Sequence, residues 1–398
     1  MSSTRLAVAA AALGFAWLAL PGPAIAQERE VKISGFGAMT GVVRSFGINS
    51  KAALEAAADQ INKAGGVKLG DGAKGKIVVD FLDDRCTAEE GISVVRRIAS
   101  GNALVAIGPT CSNVAEPLFG VLQKKVGDAS DSGLQFPIFT DVAIKIGLAK
   151  ISEWAFRNVP NESVMYDTLF KWVKATKPDL KSIYGGVEED FAHSRASWYA
   201  VMKEVAAKEG YQVLGESKWL LNDTNFSNQA REAKKANADI VAIAAHPFTT
   251  CGMLKEMERQ GVKPKLLIGL TSSSSLETLQ GCAGEAEAII IPTSFAPTNP
   301  EAQAAAAAVA KFNGSLDLHS GAAWENVFIL KEIIEEQKVL AKPETIKEDR
   351  EKVRAGLAKL TETKGLLGTS KRTSDREAVK PYLFVHANAG KWVVLHTP

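Results

Sequence analysis

The sequence predicts an α/β protein of two doubly wound lobes joined by a hinge of three crossovers. Two observations carry that prediction: short β-rich runs alternate with single helical stretches, and the alternation starts afresh near Pro160. A third is length, since 398 residues exceed one ordinary core and suit two domains.

The first residues stand apart from that rhythm. Arg5 precedes an uncharged run from Leu6 to Leu20, which Pro21, Gly22 and Pro23 break. Ala24-Ile25-Ala26 then supplies small residues where a signal peptidase reads, so residues 1–26 are expected to be a cleaved secretory leader. The apolar run is shorter than the roughly 20 residues of a spanning helix. The mature chain is expected in the periplasm.

Val31 to Phe36 reads as the first strand, followed by a helix to about Lys63 with Leu54, Ala58 and Ile61 on one face. Gly65-Gly66 ends it. Ile77 to Leu82 and Leu104 to Ile107 are the next strands, with a helix carrying Ile92, Val95 and Ile98 between them. Phe136 to Phe139 and Ala155 to Asn158 complete the first series. Past Pro160, strands are expected at 182–184, 212–214, 240–244, 266–268 and 288–291, with helices between. Strands separated by single helices imply parallel sheets with right-handed crossovers.

The last quarter changes character. Residues 301–312 are alanine-rich, 322–338 and 343–359 read as helices, and 381–395 reads as a hairpin turning at Asn388-Ala389-Gly390. Helices after both series imply that the chain returns to the first lobe and crosses again. The expected division is 27–160 plus 296–362 for one lobe and 161–295 plus 363–398 for the other, with hinges near 160, 295 and 362.

A formal charge of +2, with Lys and Arg scattered, leaves no basic footprint for nucleic acid and no polybasic membrane surface. Four cysteines in an exported chain point to disulfides. Four allow three pairings, which sequence alone does not choose between. Proximity favours Cys86 with Cys111 and Cys251 with Cys282, each closing a loop worth about 3 kcal/mol.

Enzyme motifs fail on inspection. Gly70 to Lys76 has phosphate-loop spacing, but Ile77 stands where a hydroxyl is required and the loop precedes a strand. No Gly-x-Ser-x-Gly elbow and no His-Glu-x-x-His occurs. No catalytic residue, metal site or cofactor is assigned.

Ligands of open α/β sheets bind beyond the carboxyl ends of the strands. There the chain carries Arg44-Ser45-Phe46 after the first strand and Gly108-Pro109-Thr110-Cys111-Ser112-Asn113 after the third. Ser112 or Asn113 is expected to cap the next helix, with Glu116 spaced for a capping box. A helix start with free amides and a hydroxyl suits a carboxylate.

Met39-Thr40-Gly41, Ile61-Asn62-Lys63-Ala64-Gly65-Gly66, Asp83-Asp84-Arg85-Cys86 and Gly108 to Ser112 together resemble the type I periplasmic binding proteins of ABC transporters, in the leucine/isoleucine/valine-binding group. The resemblance spans essentially the whole mature chain. It implies two lobes that close on a small ligand, a permease with ATPase subunits as partners, and a Cys86–Cys111 disulfide. Ser112 matches the serine that holds the ligand's carboxylate. Phe46 and Phe191 fall where tyrosines often pack on ligand, His246 lands near another pocket tyrosine, and Thr140-Asp141-Val142 replaces the usual small-residue clamp. Thr271 stands where amino-acid binders carry the acid for the ammonium. A buried ammonium without a counter-charge costs several kcal/mol, so the favoured ligand is a small aromatic or other organic acid. A branched-chain or other amino acid, with Asp141 as the replacement acid, is the alternative; a soluble sensor feeding a receptor is another.

Overall fold

The computed structural model describes residues 28–398, so the leader expected at 1–26 lies outside the described residues. The first sheet contains β1 (Arg29–Gly37), β2 (Val67–Lys68), β3 (Lys74–Asp83), β4 (Val105–Ile107), β5 (Ile138–Thr140) and β6 (Ala155–Arg157), ordered β2-β3-β1-β4-β5-β6. All its pairings are parallel except β2 with β3. The second sheet contains β7 (Ser182–Glu188), β8 (Gln212–Trp219), β9 (Ile240–Ala244), β10 (Leu266–Gly269) and β11 (Ile290–Thr293), paired in parallel.

The residues explain the layering. In β9, Val241 and Ile243 enter one buried cluster while Ile240, Ala242 and Ala244 enter another, so both faces of the sheet are covered. That is why the strand is a continuous apolar run rather than an alternating one. The helix Arg44–Lys63 lies on the first sheet and packs on the helix Leu318–Glu336. Gly47 permits its close approach, since a Cβ there would meet the carbonyl oxygen of Ala38 at 2.1 Å.

Three segments pass between the lobes. Asn158 to Asn161 leads from β6 into the helix Glu162–Thr176, and Ser294 to Asn299 leads from β11 back to the helix Pro300–Ala310. The third runs through a small sheet that was not expected from sequence: β12 (Glu362–Gly365), β13 (Gly368–Arg372) and β14 (Ala378–Val379). Its arginines reach toward the first lobe, Arg372 to the carbonyl of Arg157 and Arg376 to those of Ala149 and Ser152. The chain joins the second sheet only at β15 (Leu383–Asn388), antiparallel to β11, followed by β16 (Lys391–His396). Residues 363–379 therefore touch both lobes, since Leu367 packs on the apolar cluster of the second.

Both proximity pairings of cysteines are present, Cys86–Cys111 in the first lobe and Cys251–Cys282 in the second. The first ties the turn after β3 to the turn after β4, the second ties two neighbouring helices.

Candidate functional site

The carboxyl ends of β1, β4 and β5 face those of β7, β9 and β10 across the gap between the lobes. Phe46 enters from the first turn of the helix Arg44–Lys63. Phe191 precedes the helix Ala192–Ser197 in extended backbone. His246 precedes Pro247, the first residue of the helix Pro247–Arg259. A residue before proline is held extended, as the backbone of His246 is. The three rings meet: His246 lies 4.1 Å from Phe191 and 5.7 Å from Phe46, centroid to centroid. His246 thus stands between the two phenylalanines. All three are at least 97% buried.

Carboxylates position this cluster from behind. Glu188, at the end of β7, accepts from His246 Nδ1 at 2.5 Å and from Thr249 Oγ1 at 2.5 Å. Burial pushes its carboxyl up, but the histidine beside it and these hydrogen bonds win, holding it below the usual range. Glu162 opens the helix Glu162–Thr176, which Asn161 caps by accepting from the Ser163 amide at 3.0 Å. Glu162 accepts from Thr271 and from Ser197 Oγ at 2.5 Å, and lies 2.9 Å from His193 Nε2. Thr271 therefore has an acid beneath it after all, supplied from the hinge rather than from its own loop. That acid is already fully engaged.

Hydrogen bonds also cross the gap. Asn113 Oδ1 accepts from the Ala192 amide at 2.6 Å, and its Nδ2 donates to the Asp190 carbonyl at 3.3 Å. Asn49 Nδ2 donates to Glu277 at 3.3 Å. His319, from the returning segment, reaches Ser272 Oγ at 3.0 Å, and Ser272 in turn lies 3.2 Å from His193 Nδ1.

Two expectations need correction. Neither Ser112 nor Asn113 caps its helix: the cap position is Cys111, and no side chain closes it. Ser112 Oγ instead accepts from the Lys145 amide at 3.2 Å, Asn113 is drawn across to the other lobe, and Glu116 pairs with Lys145 at 2.5 Å rather than forming a capping box. Ser112 keeps its hydroxyl proton free to donate.

The remaining candidates lie buried beneath the ring cluster. Thr140 Oγ1 has no partner. Asp141 accepts from Ser50, while its Oδ1 is buried and unpartnered. Burial pushes Asp141 up to about 7. Val142 packs in the apolar cluster of the first lobe together with Phe46 and Phe191. Sequence reading missed Glu162, Glu188, His193 and His319. Glu162 lies in the first turn of a capped helix and Glu188 at the end of a strand, places where an acid is ordinary. His193 had one signal, its place two residues after Phe191.

A cavity of about 620 Å³ opens beside the rings, lined from one lobe by Arg44 and Phe46 and from the other by Phe226, His246, Phe248, Lys255 and the acids Asp223 and Glu277. It falls within the size of small-molecule sites and has their mixture of aromatic walls with few charges.

Two lobes with a shared aromatic gap define a solute-binding protein of the clamp type. The sequence matches the periplasmic binding protein family over residues 30–391, and the chain belongs to that family, among the type I members related to the Leu/Ile/Val-binding proteins. It is 24% identical over 327 residues to the Leu/Ile/Val-binding protein homolog 3 of Brucella melitensis, covering 80% of this chain and 83% of that one. Among solved structures it is similar to the branched-chain amino acid transporter substrate binding protein of Streptococcus pneumoniae in complex with isoleucine, at a TM-score of 0.76 and 19% identity over 92% of this chain and 100% of the other. A solute binding protein of R. palustris in complex with benzoate gives the same TM-score of 0.76 at 16% identity, over 92% and 96%. Among the described residues no helix is long and apolar enough to cross a membrane.

Proposed function

We propose that this chain is the exported substrate-binding component of a branched-chain-amino-acid-type ABC transporter, and that its cleft takes a small aromatic carboxylate. The observation that carries the ligand class is the meeting of Phe46, Phe191 and His246 across the gap, beside a cavity walled by Phe226 and Phe248. Aromatic walls give apolar area and edge-to-face contacts to a ring. Ser112 and the amides that start its helix take the carboxylate in this reading, and the cavity wall beside them carries Arg44 and Lys255 together with Asp223 and Glu277. His246, with Nδ1 turned to Glu188, presents Nε2 to a ring substituent. Closure follows from contacts made only when the lobes meet, such as those of Asn113 and His319. The closed form is then read by a permease with its ATPase subunits.

An amino acid is the second reading, favoured by Asp141, whose unpartnered Oδ1 suits an ammonium. A thermal-shift screen of the mature chain separates them. Stabilisation by benzoate and 4-hydroxybenzoate but not by leucine supports the first; stabilisation by leucine alone refutes it. A binding role also requires that the stabilising compound be recovered unchanged, because turnover would make the chain an enzyme.

A further inference from the structure

A chain of hydrogen bonds runs from the hinge to the opposite lobe. Its root is Glu162, just past the first crossing segment, which accepts from Ser197 and Thr271 and lies 2.9 Å from His193 Nε2. His193 Nδ1 is 3.2 Å from Ser272 Oγ, and Ser272 Oγ is 3.0 Å from His319 Nε2. His193 and Ser272 belong to the second lobe, whereas His319 is in the first turn of the helix Leu318–Glu336, which packs on the helix Arg44–Lys63 of the first. The last bond of the chain therefore exists only while the lobes are together.

The partners fix the direction of each proton. A carboxylate accepts, so His193 Nε2 carries its proton towards Glu162. Burial pulls the His193 imidazole below its usual range, against the upward pull of Glu162. The ring is then neutral near pH 7, and its Nδ1 is a bare acceptor. Ser272 donates its one proton to that nitrogen, and its oxygen accepts from His319 Nε2. His319 is 2% exposed, with the Phe46 ring 5.3 Å away. Burial pulls its imidazole well below the usual range, and His193 and His246 add to the effect.

We propose that the His319–Ser272 bond is an acid-sensitive latch, which holds the lobes together while His319 is neutral and releases them when it is protonated. The groups that face His319 from the second lobe are His193 and His246, with Glu162 and Glu188 behind them. The helix Arg44–Lys63 presents Phe46, which does not titrate, and Asp317 precedes His319 on its own segment. With the lobes closed, His319 takes a proton only well below 6.5; once they part, its imidazole returns towards that ordinary value. Protons therefore favour the open form. Asp317 acts in the opposite sense, because burial holds it up at about 6 in the closed form, and its contribution persists when His319 is replaced. The latch rests on the clamp motion proposed above, but not on the identity of the ligand.

The test is small-angle scattering of the ligand-free mature chain at pH 7.5 and pH 5.5, at constant ionic strength. The ratio of open to closed chains is expected to rise about tenfold, the factor for one imidazole that titrates near 6.5 in the open form, and to appear as a larger radius of gyration at pH 5.5. His319→Gln, which can still donate to Ser272 but does not titrate, should lose that rise. Ser272→Ala cuts the chain without touching a histidine and should give the larger radius at both pH values. A wild-type radius that ignores pH, a rise that persists in His319→Gln, or a Ser272→Ala radius equal to that of wild type at pH 7.5 overturns the latch. Asn113→Ala tells two failures apart: if it expands the chain while acid does not, the clamp motion stands and the latch alone falls; if neither expands it, the motion falls as well.

Discussion

His246 and Glu188 are joined twice: the imidazole Nδ1 and the backbone amide of His246 both reach the carboxylate, at 2.5 and 3.4 Å. Glu188 ends β7 and His246 follows the end of the adjacent parallel strand β9 by two residues, so the sheet brings them together. The imidazole is oriented by a buried anion rather than by its own loop.

Glu188→Ala is expected to cost about 3–5 kcal/mol, because it strands buried polar partners. Glu188→Gln, which keeps the shape, costs less. The carboxyl lies below its ordinary 4.5 in the folded chain. Its stabilisation is therefore present above pH 4.5 and is lost as pH falls through the lower, folded value. Urea unfolding from pH 6 to pH 3 checks this: wild type should lose more stability over that range than Glu188→Gln.

Asp141 works in the opposite sense. Its pKa rises from 3.8 to about 7 on folding, chiefly by burial. The folded chain then holds a proton that the unfolded chain releases, so stability falls as pH rises between those values. Asp141→Asn removes that penalty. Its thermal midpoint should exceed the wild type's at pH 8 and converge with it towards pH 4, and equal differences at both would refute the assignment.

Asn113→Ala removes two hydrogen bonds that exist only when the lobes meet. The loss of about 1 kcal/mol per bond shifts the chain towards the open form. Small-angle scattering should show a larger radius of gyration in the absence of ligand, with the thermal midpoint little changed.

Replacing Cys251 and Cys282 together by serine opens a loop of 31 residues. The expected cost is about 3 kcal/mol, read from denaturant unfolding. Reduction of the wild type should reproduce that loss and add the contribution of Cys86–Cys111.

The doubly wound lobes were legible because buried parallel strands are apolar runs: 240–244 was read at its observed bounds, and the terminal hairpin around Asn388-Ala389-Gly390 forms as expected. The small sheet at 362–379 was not, because Glu362-Thr363-Lys364 and Gly368-Thr369-Ser370 lack the apolar alternation that marks a strand. In the site, Phe46 was singled out from its place after a strand, and Phe191 and His246 through the family resemblance. Their supporting carboxylates escaped because an acid in the first turn of a helix, as at Glu162, is ordinary until its partners are known. The contact of Glu162 with Thr271 joins residues 109 positions apart, which no local pattern reports.

The most direct test is calorimetric titration of the mature chain, and of Phe46→Ala and His246→Ala, with benzoate and with leucine. One benzoate per chain, a negative heat-capacity change, and affinity reduced tenfold or more in both variants (about 1.4 kcal/mol or more) are the results expected. Saturable binding of leucine with affinity unaltered by either substitution would contradict the placement of an aromatic carboxylate against Phe46 and His246.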